Sequence, residues 1–261
     1  MTEFHKKNEI INSKNNKFKG EKMKNKPILP PGYYTEADAE DVYEKTFDKI
    51  FRYFFTNYMN GAIMEFGTFK GYSARKIASK MKQYNVMNKL FMFDSFEGLP
   101  EITSDVDKNS YQVKLTNDWQ KGTFGSANGF EVLLEHDISN LIGKDNTNIV
   151  KGYFDDTIAK MQLERESAIL INIDCDLYSS IVTVLNKLIE SQVFQDGSII
   201  LFDDYNFNRA NNNMGVRQAI KDTFGKQDKY ELEQFFTYGW HGRAFFVHDN
   251  KVKTLVGKKY E

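Results

Sequence analysis

Two apolar runs in this chain end abruptly in acids: Ala168-Ile-Leu-Ile-Asn-Ile-Asp174-Cys-Asp176 and Ser198-Ile-Ile-Leu-Phe-Asp203-Asp204-Tyr205. Continuous apolar runs of this length read as strands buried on both faces of a parallel sheet. Their carboxyl ends form the edge at which open α/β sheets bind ligands. Asp174, Asp176, Asp203 and Asp204 would then crowd one edge. Like charges at close range raise each other's proton affinity unless a cation sits among them, and a hard divalent ion with oxygen ligands fits that need. Structural alternatives exist for two of these acids: Asp176 as a cap for a helix beginning near Ser179, and Asp204 as a turn residue. Asp174 and Asp203 directly end buried runs and resist such readings.

The elements that must position these acids follow a regular alternation from Gly61 onward. Ala62 to Gly67 reads as a first strand, Tyr72 to Tyr84 as a helix, Lys89 to Asp94 as a second strand and Asn148 to Phe154 as a third. The two acid-tipped strands come next, with a helix from Ile181 to Gln192 between them. Lys229 to Phe236 and Arg243 to His248 read as a closing antiparallel pair. Upstream, helical spacing runs from Thr35, a candidate N-cap, to Tyr58. The repeated strand-helix units predict a mostly parallel, doubly wound sheet. The stretch from Pro100 to about residue 130 shows weak periodicity and reads as a lid or mobile loop. His241 lies in an aromatic, glycine-containing turn, and its lone imidazole reads as structural before it reads as a helper of catalysis.

Composition sets bounds on the partners. With 261 residues, 41% of them hydrophobic, the chain can bury one large core, so residues 27–261 are expected to form a single domain after a Lys- and Asn-rich tail over 1–26. A net charge of −1 offers no footprint for nucleic acid. No run of about 18 apolar residues suggests a membrane span, and no hydrophobic stretch follows the N-terminal charges as in a signal peptide. The single cysteine, Cys175, cannot form an internal disulfide, which suits a reducing cytoplasm.

Glu65-Phe-Gly-Thr-Phe-Lys-Gly71 occupies the place of a phosphate loop, but a dinucleotide fingerprint needs a second glycine where Phe69 stands. An acid two residues before the first glycine suits an ammonium group, and the N-terminus of the following helix suits a carboxylate. S-adenosylmethionine carries both on its methionine end. Asp94, at the tip of the second strand, is placed to accept hydrogen bonds from ribose hydroxyls. The plain alternative is a tight turn at Gly67 and Gly71 with Asp94 as a cap.

Five motifs, in order, carry a resemblance to a known family: the Glu65 loop, Phe93-Asp-Ser-Phe-Glu-Gly-Leu-Pro100, Lys151-Gly-Tyr-Phe-Asp-Asp-Thr157, Ile173-Asp-Cys-Asp-Leu-Tyr-Ser179 and Phe202-Asp-Asp-Tyr205. The chain resembles the macrocin O-methyltransferases, class I enzymes dependent on S-adenosylmethionine and magnesium that methylate sugar hydroxyls. The resemblance spans roughly Tyr33 to Val247 and leaves the first 26 residues outside. It implies an α/β, Rossmann-like class I methyltransferase fold with a seven-stranded, mostly parallel sheet and helices on both faces. It also implies a cofactor site at Glu65, Gly67, Thr68, Tyr72, Ser73, Asp94, Ser95, Gly152, Phe154 and Asp174. By the family pattern, Mg²⁺ or a similar divalent cation is held by Asp174, Asp203 and Asp204, and Asp176 is the general base. Asp155 and Asp156 either line the adenine side or cap a helix. The implied acceptor is a small saccharide or glycoside, and a homo-oligomer remains open.

Two competing chemistries share parts of this pattern. Asp174-Cys-Asp176 is also the short D-x-D of metal-dependent nucleotide-sugar glycosyltransferases, and metal-assisted methylation also works on catechols and other phenols. The Glu65 loop, Asp94 and the second acid pair favour the methyltransferase.

Overall fold

Five strands lie parallel and side by side in the computed structural model, which describes residues 36–116, 119–158, 163 and 166–252. They are β1 (Ala62–Phe66), β2 (Leu90–Asp94), β3 (Thr147–Lys151), β4 (Ala168–Ile173) and β5 (Phe194–Phe202). The antiparallel strands β6 (Tyr230–Tyr238) and β7 (Gly242–Asp249) complete a seven-stranded sheet in the order β3-β2-β1-β4-β5-β7-β6. Every residue of β1, β2 and β4 is buried, which is why these strands read as continuous apolar runs.

The two-residue period of the strands divides the core into two layers. Ile63, Leu90, Met92, Ile199 and Leu201 join the layer formed by α1 (Glu36–Thr56), α2 (Tyr72–Gln83) and α4 (Phe130–Ile142), with α3 (Asp105–Lys108) lying between α2 and α4 in the chain. Met64, Phe91, Phe93, Ile171 and Ile200 face the layer that includes α6 (Tyr178–Glu190) and α7 (Gly215–Asp222); the short α5 (Phe154–Thr157) precedes α6 in the chain. Helices therefore cover both faces. Strand order reverses between β1 and β4, which makes their carboxyl ends the topological switch point at which open α/β sheets bind ligands.

Most predicted elements are present with ends moved by a few residues, but four differences matter. The third strand stops at Lys151: Gly152 adopts φ 136, its N–H donates to the Asp94 carbonyl at 2.9 Å, and Phe154 opens α5 instead of extending the strand. Helix α4 was hidden because Val132 and Leu133 remain 62% and 64% exposed beside buried Leu134, which blurs the helical period. Helix α7 is only eight residues long, too short for periodicity to reveal. The stretch from Pro100 to about residue 130 is not featureless: Leu99, Trp119 and Leu177 form a small buried cluster, with Ile102, Val113, Phe124 and Phe207 packed on it.

That stretch also settles what caps α6. The Asp107 carboxylate on α3 accepts from the N–H groups of Tyr178 at 2.7 Å and Ser179 at 3.1 Å, so a residue 71 positions upstream satisfies the start of the helix. The Lys- and Asn-rich segment 1–26 and the Thr35 cap lie outside the described residues. No described helix is long and apolar enough to cross a membrane. Asp107→Ala leaves two partly buried N–H groups without this acceptor. It is expected to lower stability by about 1 to 2 kcal/mol, read as a shifted urea midpoint with an unchanged slope.

Candidate active site

The cofactor side begins with a carboxyl inside the sheet. Glu65 on β1 stands in register with Asn172 on β4, whose Nδ2 donates to Glu65 Oε1 at 3.1 Å. Burial pushes the Glu65 carboxyl up to about 7, against the pull of Ser73, Asn172 and Thr68. Neither Glu65 Oε2 nor Thr68 Oγ1 finds a partner at hydrogen-bonding geometry, although both atoms are buried. Such orphaned acceptors are costly, and a cationic group in the crevice would satisfy them.

Gly67 follows with φ 88, and a Cβ there would overlap the Asp174 carbonyl oxygen. Only glycine lets the loop after β1 lie this close to the end of β4. Phe69, at φ 48, donates its N–H to Asp94 Oδ2 at 2.6 Å, and Phe96 donates to Oδ1 at 2.6 Å. Asp94 thus ties the loops after β1 and β2 together, while each oxygen keeps a lone pair for a further donor. Its carboxyl is raised by burial and pulled back by these amide N–H groups.

The remaining cofactor-side residues are distributed around this loop. Ser73 is buried in the first turn of α2, and Tyr72 is half exposed. Ser95 Oγ closes its own turn, donating to the Gly98 carbonyl at 2.9 Å and accepting from Glu97 N–H at 3.1 Å. Phe154 lies edge-on to Phe66, which stacks on Phe93. Asp155 and Asp156 fall in the first turn of α5, and Asp155 accepts from the Thr183 hydroxyl at 3.1 Å.

The acid edge is one strand away. The Asp174 N–H donates to the Phe66 carbonyl at 2.8 Å and the Asp203 N–H to the Ile173 carbonyl at 3.0 Å, which brings the ends of β1, β4 and β5 level. The Asp174 carboxyl is pushed well above the usual range by burial and then by the charges of Asp203, Asp204 and Asp176. Asp203 is raised by burial and pulled back by His241 and by Tyr43, whose hydroxyl donates to Oδ1 at 3.0 Å. His241 Nδ1 lies 2.9 Å from the Asp203 carbonyl oxygen and 3.5 Å from Oδ2, so this imidazole is bound to the acid edge. Asp176 sits at φ 59 between β4 and α6, a left-handed position that aspartate tolerates better than most residues. Cys175 is buried, its thiol donates to the Phe66 carbonyl at 3.4 Å, and burial with the surrounding acids pushes its pKa up, away from nucleophilic use.

The all-oxygen donor set and the mutual repulsion of these acids suit a divalent cation. Among the described residues, no three acids, histidines or cysteines are already arranged as a metal shell; Asp203 is turned toward Tyr43 and His241. Sequence reasoning missed Tyr43, Tyr238, Asn172 and Asp107. Asn172 was signalled by being the only polar residue within its apolar strand, whereas the other three had no local signal.

The strand order and the helices on both faces are those of the class I methyltransferase fold. Residues 2–231 match the model of the macrocin O-methyltransferase (TylF) family, and the chain belongs to that family. It is an O-methyltransferase. The match takes in the Lys-rich segment that the motif resemblance left outside, and it ends within β6. Among solved structures, the calicheamicin methyltransferase CalS11 superimposes with a TM-score of 0.66 at 19% identity, covering 93% of this chain and 90% of its own. An apo structure of CalS11, a TDP-rhamnose 3'-O-methyltransferase, gives 0.58 at 18% identity over 83% and 82% of the two chains. The O-methyltransferase NovP gives 0.61 at 16% identity over 78% and 79%. At these identities the likeness establishes the fold. No curated protein matches the chain. Family membership decides against the glycosyltransferase reading of Asp174-Cys-Asp176.

The Glu65 carboxyl carries a pH signature. It ionises near 7 when folded and near 4.5 when unfolded, so the folded chain binds the extra proton between these values. Stability therefore falls as pH rises from about 4.5 to 7, by a total on the order of 3 kcal/mol. Glu65→Gln removes this loss: the variant is expected to melt above the wild type at pH 8 and close to it near pH 5. Parallel pH profiles for the two proteins would contradict the assignment.

Proposed function

We propose that this enzyme transfers the methyl group of S-adenosylmethionine to a hydroxyl of a small saccharide or glycoside, with a divalent cation such as Mg²⁺ at the ends of β4 and β5. The observation that carries this reading is the seam at Gly67, where the cofactor loop and the acid edge lie in direct contact. A donor bound on one side and an acceptor on the other would meet there. When bound, S-adenosylmethionine supplies an electrophilic methyl on a sulfonium, and the cation supplies polarisation and a fixed position for the acceptor hydroxyl.

The chain's own residues divide the work. Glu65 and Thr68 face the ammonium of the donor, and Ser73, with Tyr72 at the N-terminus of α2, faces its carboxylate. Asp94 and Ser95 serve the ribose, and Gly152 and Phe154 border the adenine. Asp174, Asp203 and Asp204 would hold the cation. Asp176 would accept the proton of the acceptor hydroxyl, while S-adenosylmethionine, when bound, would supply the methyl group and leave as a neutral thioether.

Two variants separate the two halves. Asp174→Asn is expected to reduce methyl transfer at least a thousandfold while S-adenosylhomocysteine still binds within about threefold of the wild type, because the cation serves the acceptor. Asp94→Ala should weaken S-adenosylhomocysteine binding at least tenfold, or about 1.4 kcal/mol. Calorimetry on chelator-treated protein reads both affinities, and transfer of a labelled methyl to a panel of sugars and phenols reads turnover and the acceptor class. Undiminished transfer by Asp174→Asn would remove the cation from the mechanism.

A further inference from the structure

One contact at the acid edge comes from a remote part of the chain. Tyr43 lies on α1, 160 residues before Asp203, yet its hydroxyl donates to Asp203 Oδ1 at 3.0 Å. The ring is held in place by stacking on Phe47 at 5.9 Å and by Tyr238 at 6.5 Å. On the other side of the carboxylate, His241 Nδ1 lies 3.5 Å from Oδ2 and is anchored to the Asp203 carbonyl oxygen at 2.9 Å. The carboxylate plane is thus defined from two sides, by α1 and by the turn between β6 and β7.

We propose that Tyr43 is a positioning residue for the cation edge: its hydroxyl fixes the orientation of Asp203, so that cation affinity depends on this one hydrogen bond from α1. This inference rests on the cation reading above. A carboxylate free to rotate loses rotamer freedom when it binds an ion, and one already oriented by a neighbouring donor does not. Partners one step removed from a metal commonly change its affinity 10- to 100-fold through this effect. Tyr43 is not what seats the helix. Phe47, Ile50, Phe51 and Phe54 bury that face completely, and Tyr53 donates to the Gly197 carbonyl at 2.9 Å further along. Removing the Tyr43 hydroxyl therefore changes the acid edge and leaves the packing of α1 in place.

The test uses Mn²⁺ alone, titrated into chelator-treated full-length protein, with free Mn²⁺ read by electron paramagnetic resonance and melting temperature recorded in parallel. Tyr43→Phe is expected to weaken Mn²⁺ binding about tenfold or more while melting close to the wild type. Tyr53→Phe deletes a hydroxyl from the same helix away from the acids, and it should bind Mn²⁺ within about twofold of the wild type. Wild-type affinity in Tyr43→Phe would overturn the inference, and so would an equal loss in Tyr53→Phe, because the effect would then belong to helix packing. Failure of the wild type to bind Mn²⁺ would overturn the cation reading and this inference with it, so the two failures are distinguishable.

Discussion

The structure turns on the crowding of carboxylates at the carboxyl edge of its parallel strands. Parallel strands in register end together, so acids placed just after them cannot be separated by the fold. Two unit charges about 4 Å apart repel by roughly 4 kcal/mol at an effective dielectric constant near 20, a large share of the stability of an ordinary domain. Asp174 bears the consequence: burial and the charges of Asp203, Asp204, Asp176 and Glu65 push its carboxyl well above the usual range. Such an edge is retained only where a ligand returns more than the repulsion costs. The surrounding hydroxyls of Tyr43 and Tyr238 and the imidazole of His241 fit this economy. Tyr43 donates to the Asp203 carboxylate and His241 is anchored on the Asp203 carbonyl oxygen, so among the described residues the edge is braced without a lysine or arginine filling it.

The two acids on the cofactor side meet the same constraint in opposite ways. Asp94 is compensated by two backbone N–H groups at 2.6 Å, which fix it and clamp the loops after β1 and β2 together. Glu65 receives one amide hydrogen bond from Asn172 and keeps one buried oxygen without a partner, so it is poised near neutrality instead of being firmly charged. One acid is therefore structural before any ligand arrives, and the other is left incomplete. An incomplete acid beside a helix N-terminus is the arrangement that an amino-acid headgroup would complete, and this physical logic does not depend on the family resemblance.

The parts legible in sequence were those governed by local rules. The acid-tipped strands stood out because burial on both faces forces an unbroken apolar run, and the loop after β1 stood out because Phe69 replaces the glycine a pyrophosphate would need. The parts that were not legible depend on residues far apart in the chain. Nothing near Tyr43 marks it as a neighbour of Asp203, and nothing near Asp107 marks it as the cap of a helix that begins 71 residues later. Helix α4 was obscured for a different reason, since its exposed Val132 and Leu133 break the link between apolar character and burial.

The same distinction between local and remote support separates the two halves of the site. The half proposed for the cofactor is built mainly from backbone: glycine conformations, amide N–H groups and strand register. The other half is assembled from side chains of three distant segments, with Trp119 stacked on Phe207 and Phe207 on Trp240 at centroid distances of 5.7 and 5.1 Å. Next to that stack, Asn208, Arg209 and Ala210 all adopt φ between 52 and 57, a left-handed run that costs roughly 1 to 2 kcal/mol per residue. The Tyr111 N–H donates to buried Asn208 Oδ1 at 2.8 Å, and the Arg209 guanidinium lies 4.4 Å from the centroid of the Tyr111 ring, so the stretch after Pro100 supports the strain. A half held by backbone tolerates few substitutions, whereas a half held by side-chain stacking can be repacked one residue at a time. On the proposed reading, this is the side that meets the acceptor, so a change of acceptor could evolve here without disturbing the donor site.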